Sequence, residues 1–132
     1  MNVNYTIPGS IAKYVLKCSA TGSRVICNPA PTNTDEDYIL LVRPNNFENL
    51  DEAFNTEGFI IGGSMAFMVD APLDEDDTFC SYKKGDINLI VTADAEFYHR
   101  FVVAAHIAKS LNLLNKDERI MLFQGMLYGE MV

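Results

Sequence analysis

The sequence has few basic residues, few cysteines and histidines, and no long apolar run. Ten Lys and Arg stand against 18 Asp and Glu, a formal charge of −8 at pH 7. Tight, non-specific grip on a long nucleic acid needs many cationic contacts to phosphates, so the charge balance argues against that class of function. It does not argue against a small anionic substrate whose charge is carried by metal ions. Cys18, Cys27 and Cys80 are odd in number and show no Cys-x-x-Cys spacing. That argues against a zinc site or a disulfide framework and for a reducing compartment. His99 and His106 fall on one predicted helix about 10.5 Å apart along its axis, too far to share a metal. The most apolar stretch, Gly58 to Val69, holds three glycines in about 12 residues, well short of the roughly 20 that cross a bilayer. The N-terminus lacks the layout of a secretion signal, and there is no repeat or low-complexity tract. The expectation is a soluble cytoplasmic protein with no membrane partner.

What is present fits one domain over residues 1–132, with 48% apolar and 21% charged residues, ordinary values for a globular chain. Ile11, Tyr14, Val15 and Cys18 lie at helical spacing, which predicts a first helix capped by Ser10 and ended or redirected by Gly22. Pro29, Pro31 and several asparagines make 28–34 a loop. Tyr38 to Val42 reads as a strand covered on both faces, and Phe47 to Phe54 as a short helix. Gly58 to Val69 reads as one strand, or two divided at Gly62-Gly63, and 70–77 as an acidic loop. Thr78–Tyr82 and Ile87–Thr92 form an antiparallel pair turned through Lys83, Lys84 and Gly85. A helix capped by Thr92 or Asp94 follows, with an apolar stripe of Phe97, Phe101, Ala104, Ala105, Ala108 and Leu111. Asn115 and Glu118 match a capping box for a last helix through Ile120, Phe123 and Leu127. The predicted fold is α+β, a mixed sheet with flanking helices.

The chemistry gathers around Thr21-Gly22-Ser23-Arg24 and the acids beyond it. Asp35 and Asp37 stand two apart at the head of a strand, which puts both on one face and lets them share a divalent cation. Asp86 opens a second apolar run. Asp-x-Asp alone is ordinary loop chemistry; a preceding Gly-Ser turn and a third acid at another strand make the set informative. Phosphoryl transfer demands positioning and charge neutralisation, and two hard cations about 3.5–4 Å apart supply both. On this reading Asp35, Asp37 and Asp86 are the catalytic, metal-holding carboxylates and Mg²⁺ or Mn²⁺ is the cofactor. Gly22 lets the main chain approach the phosphates, Ser23 donates to one of them, and Arg24, Lys83 or Lys84 contacts the same group.

This order of motifs resembles the nucleotidyltransferase superfamily, which includes DNA polymerase β and minimal bacterial nucleotidyltransferases. The segment Lys84-Gly85-Asp86-Ile87-Asn88-Leu89-Ile90 is similar to the third-acid strand of the polymerase β branch. Residues 80–129 are similar to small nucleotidyltransferase-like proteins of tailed bacteriophages. The resemblance implies a minimal nucleotidyltransferase-like fold, and the host cytoplasm as the compartment of a phage-encoded chain. It implies transfer of a nucleoside monophosphate from a nucleoside triphosphate to a hydroxyl, releasing pyrophosphate. The acceptor, whether protein, RNA or small molecule, is not readable, because the chain has no room for an acceptor domain. Glu36 departs from the family's usual apolar residue between the acids, and a strand points it away from them. The alternative is a phage interaction or inhibitor protein on the same fold, binding a host factor without catalysis. An exposed helix pair leaves a homo-oligomer open.

Other features have plainer readings. Gly62-Gly63-Ser64 has no paired acid heading a strand after it, and reads as a hairpin or bulge. Asp74 to Asp77 reads as a solvated loop. Phe97, Phe101 and Phe123 read as core, and Arg100 and Lys109 as solvent-facing.

Overall fold

The computed structural model describes residues 6–27, 36–45, 47–62, 79–112 and 116–128, and at 23, 24, 116 and 128 the main chain alone. The elements are α1 (Gly9–Ala12), β1 (Val15–Thr21), α2 (Ser23–Ile26), β2 (Glu36–Val42), α3 (Phe47–Thr56), β3 (Ile60–Ile61), β4 (Phe79–Lys84), β5 (Ile87–Thr92), α4 (Ala95–Ser110) and α5 (Lys116–Tyr128). The strands form one sheet in the order β1-β2-β5-β4-β3. β2 and β5 are parallel and every other neighbour is antiparallel. This is an α+β fold with a five-stranded mixed sheet flanked by helices.

The first predicted helix is corrected. Only Gly9–Ala12 is helical, with Pro8 at its N-cap, and Val15 onward is the edge strand β1. Ser10 does not cap; its hydroxyl donates to Glu57 Oε1 at 2.7 Å. The spacing of Ile11, Tyr14, Val15 and Cys18 misleads because β1 gains its hydrogen bonds from β2, a tertiary pairing that outweighs local propensity. A register shift between Val15 and Lys17 coincides with the exposed Leu16, as a β-bulge leaves one residue unpaired. Gly22 ends this strand rather than a helix.

The continuous apolar runs of β2 and β5 follow from burial on both faces. Tyr38, Leu40, Val42, Leu89 and Val91 join Ile11, Leu50, Phe54 and Phe59 in a core on the α1/α3 side. Ile39, Leu41 and Ile90 join Ile26, Phe97, Phe101, Ala104, Ala105, Ala108 and Phe123 on the α4/α5 side. The alanines of α4 let that helix lie close to the sheet. Rings knit each layer: Phe54 stacks on Tyr82 at 4.0 Å, and Phe101 meets Phe123 at 4.8 Å. Asp94 caps α4 by accepting from the amides of Glu96 and Phe97 at 2.9 and 3.2 Å. Leu111 departs from the predicted stripe: it is the C-cap of α4 and exposed. The antiparallel β4–β5 pair is as expected, but β4 runs on to Lys84 and the turn falls at Gly85-Asp86. Among the described residues no helix is long and apolar enough to cross a membrane. The expected loop at 28–34, the Asn115 cap, Gly63-Ser64, and the segment 63–78 with its acidic run lie outside the described residues.

Tyr82 gives this architecture a pH signature. Burial first, and then its hydrogen bond to Asp51, holds the Tyr82 phenol protonated well above its ordinary range. Burial also raises Tyr98, and pushes the Cys18 thiol up to about 11. The unfolded chain loses these protons at lower pH than the native one. Their stabilisation is therefore complete below the unfolded pKa values and is lost as pH rises. Urea unfolding should show stability falling above about pH 9, by up to about 1.4 kcal/mol per pH unit for each group titrating. Tyr82→Phe should make that decline shallower, while costing about 1 kcal/mol at neutral pH.

Candidate functional site

Four strands place one residue each in a row at one end of the sheet. Thr21 of β1 pairs with Asp37 of β2, Asp37 with Asn88 of β5, and Asn88 with Lys83 of β4. Side chains alternate along a strand, so Asp37 shares the α4/α5 face with Ile39 and Leu41, and Asn88 shares it with Ile90. Ser19 lies on the same face, its hydroxyl 2.6 Å from that of Tyr98 on α4. Two strand beginnings and two strand ends thus bring a carboxylate, an amide, a hydroxyl and a lysine to one level.

Within the row, Asn88 Nδ2 donates to Asp37 Oδ1 at 2.9 Å. Asp37 is half-buried, whereas Asn88 and Thr21 are buried. Three buried polar atoms on this face have no hydrogen-bond partner: Thr21 Oγ1, Asn88 Oδ1 and, one step inward on β4, Ser81 Oγ. Each unpaired buried group costs about 1–3 kcal/mol.

Gly22 closes against this row. Its φ is +79°, and a Cβ there would fall 2.7 Å from Asp37 Cγ and 2.8 Å from Asp37 Cβ. Its carbonyl accepts from the amides of Val25 and Ile26 at 3.1 and 2.9 Å, turning the chain from β1 into α2. Behind α2, Arg119 Nη1 donates to Cys27 Sγ at 3.2 Å, fastening α5 to that turn. The Gly-Ser turn and the second acid of Asp-x-Asp are therefore in contact through Gly22 and Asp37.

The remaining expected residues divide. Lys83 lies in the row, half-buried and engaged in an interaction of its own. Lys84 does not join it. It points to the other side of the sheet, where Nζ donates to Glu57 O at 2.7 Å and stands 5.8 Å from the Phe59 ring. Neighbours along a strand face opposite ways, so the two lysines cannot both serve one site. Glu36 likewise faces away, accepting from Tyr38 Oη at 3.3 Å. Asp86 is exposed in the β4–β5 turn, and its carbonyl accepts from Glu36 N at 2.7 Å, tying the starts of β2 and β5 together. Asp35 and the side chains of Ser23 and Arg24 lie outside the described residues.

Asn88, Thr21 and Ser81 were not singled out from sequence. The signal for Asn88 was available: it is a lone amide in an apolar strand, two residues from Asp86 and so on its face. Among the described residues no three His, Cys, Asp or Glu side chains converge on a metal position. His99 and His106 are exposed on α4. The row itself offers oxygen in the Asp37 carboxylate and the unpartnered Thr21 hydroxyl, while Asn88 turns its NH₂ to Asp37. Hard oxygen donors suit Mg²⁺ or Mn²⁺ over softer ions, so this part of the donor set fits the expected cation.

The Gly22–Asp37 contact is testable by itself. Gly22→Ala forces a side chain into a positive-φ position and against the Asp37 carboxylate, and should cost about 1–3 kcal/mol of stability in urea unfolding. In an Asp37→Gly background the steric part disappears, so the same substitution should cost less there, a coupling a double-mutant cycle measures.

No family model matches this chain, and no curated protein and no solved structure matches it either.

Proposed function

We propose that the protein is a minimal, metal-dependent nucleotidyltransferase, moving a nucleoside monophosphate from a nucleoside triphosphate to a hydroxyl and releasing pyrophosphate. The observation that carries the reading is the packing of Gly22 against Asp37 inside a row that also holds Thr21, Asn88 and Lys83. Gly22 of the Gly-Ser turn and Asp37 of Asp-x-Asp, distant in sequence, meet on a mixed sheet compatible with that fold. Asp37, with Asp35 and Asp86 as its expected partners, would hold Mg²⁺ or Mn²⁺. The cation supplies neutralisation of phosphate charge and polarisation of the acceptor hydroxyl. Gly22, lacking a Cβ, lets the Asp37 carboxylate lie against the main chain of the turn, with Ser23 and Arg24 next in sequence. Lys83 presents a positive charge to the same end of the sheet. Asn88 fixes the orientation of Asp37, so less reorganisation is needed when charge develops.

A second reading, binding without catalysis, draws on the exposed position of Asp86 and on the absence of a three-acid cluster among the described residues. In that case the row binds a nucleotide or a host factor but transfers nothing.

Incubating the protein with Mg²⁺ or Mn²⁺ and each α-labelled nucleoside triphosphate, with cell lysate as acceptor source, separates the two. The expected result is label transfer that Asp37→Asn lowers by about 100-fold or more, the scale of losing one preorganised electrostatic group. Asparagine at 37 still accepts from Asn88, so the fold should survive. Transfer unaffected by Asp37→Asn and Asp86→Asn overturns the mechanism. Metal-dependent nucleotide binding without transfer favours the second reading.

A further inference from the structure

We infer that the outer edge of β1 is a docking strand for an extended acidic segment of another protein, which adds to the sheet beside residues 15–19. This edge takes no part in the proposed transfer: Lys17 at its centre is four residues from Thr21, about 13 Å along the strand.

β1 is the terminal strand of the sheet and pairs with β2 on one side. A strand so placed carries a row of main-chain N–H and C=O groups on its outer side, and among the described residues no strand takes them up. Folds blunt such edges by keeping them short, and the opposite edge, β3, has two residues. β1 has seven. Ala20 and Thr21 at its end are buried, but residues 15–19 are exposed or half-buried, with Leu16 and Lys17 exposed. That open stretch approaches the usual length of a strand. The register shift between Val15 and Lys17 leaves Leu16 as an apolar contact for an incoming strand. Bulges and lysines also protect edges; here the protection is selective, and charge sets the selection.

Residues 1–34 contain Lys13, Lys17 and Arg24 and no acid, a formal charge of +3. Residues 35–132 hold the other seven basic residues and all 18 acids, a charge of −11. In the fold, Arg43 joins Lys13 and Lys17 at the start of β1, because its amide donates to Tyr14 O at 3.0 Å. All three side chains are exposed. β1 carries no acid, nor does β2 beyond Asp37. A second copy pairing through the same stretch, centred at 17, would set Lys17 against Lys17, and like charges across a strand pair are destabilising. A nucleic-acid strand would meet the cations but could not continue the main-chain ladder. An acidic polypeptide does both, and the −11 of the remaining chain directs it to the acid-free edge.

The probes are three short peptides alternating Val with Glu, with Lys or with Ser, each titrated into ¹⁵N-labelled protein. The Glu peptide should shift the main-chain amide signals of residues 15–19 and slow their exchange with solvent. General attraction to a chain of charge −8 would rank the Lys peptide first, so the opposite order is diagnostic. Lys17→Glu should weaken the Glu peptide by about tenfold and admit the Lys peptide at the same amides. Methylating alternate main-chain nitrogens of the Glu peptide should abolish binding in one of the two phases, because a strand joins an edge through main-chain hydrogen bonds. Equal binding of all three peptides, the Lys peptide first, or no shift at residues 15–19 with millimolar Glu peptide overturns the proposal. So does protection of those amides in the protein alone, whether by its own chain or by a second copy, which sedimentation detects. Should Lys17→Glu fail to fold, the ranking on the wild type decides alone.

Discussion

The parallel pairing of β2 with β5 at the centre of the sheet is the constraint on which the site depends. Because these strands run the same way, their N-terminal ends lie side by side, with Glu36 N bonded to Asp86 O and Asp37 opposite Asn88. A parallel pair needs a long crossover, and here it runs through α3, β3 and β4. β1 and β4 are antiparallel to their central neighbours, so they deliver their C-terminal ends, Thr21 and Lys83, to the same level. A slip of one residue between β2 and β5 would turn Asp37 or Asn88 to the opposite face. The apolar residues of both strands forbid that slip, since each face must return its own side chains to its own core. Core packing thereby fixes the alignment of the polar row.

The location of the row follows from the same topology. In open parallel sheets, ligands gather at the carboxyl ends of strands. Here that end of β5 leads directly through Thr92 and Asp94 into α4, with Thr92 Oγ1 accepting from Asp94 N at 3.0 Å. The amino end of β5 is instead met by a tight two-residue turn, and the Gly22 bend packs against Asp37 at the start of β2; among the described residues no long helix begins at that end of the central strands.

How much of this was legible in the sequence depended on whether the signal was local. The double-sided burial of β2 and β5 was readable as unbroken apolar runs, and α4 from its Asp94 cap and its Phe and Ala stripe. β1 was misread because Ile11, Tyr14, Val15 and Cys18 satisfy a helical period, while its real partner, β2, is distant in sequence. The lysines were given together to a turn because β4 was ended at Tyr82. Once the strand is carried to Lys84, alternation alone separates Lys83 from Lys84. The link between Gly22 and Asp37 was legible as a motif and not as a contact, since nothing local says that a Cβ at 22 would strike the carboxylate. Asn88, Thr21 and Ser81 carry no charge to mark them in the sequence, and their importance lies in unsatisfied hydrogen bonding, which only tertiary structure reveals.

That unsatisfied bonding distinguishes the row from structural polarity elsewhere in the molecule. Tyr82 and Asp51, or Ser19 and Tyr98, are pairs in which the polar atoms meet a partner. Such pairs are the usual way a fold accommodates polar groups away from water. Asn88 and Ser81 are different: each is buried in a strand whose neighbours are apolar, and each keeps an atom unpaired. Apolar residues of similar size at both positions would remove two desolvation penalties and, but for the bond to Asp37, cost little. Stability alone therefore gives no reason for this pair of residues at this place. The three unpartnered atoms, Thr21 Oγ1, Asn88 Oδ1 and Ser81 Oγ, are all oxygens on the face that carries Asp37, so the polar burden of the sheet is concentrated at that one end.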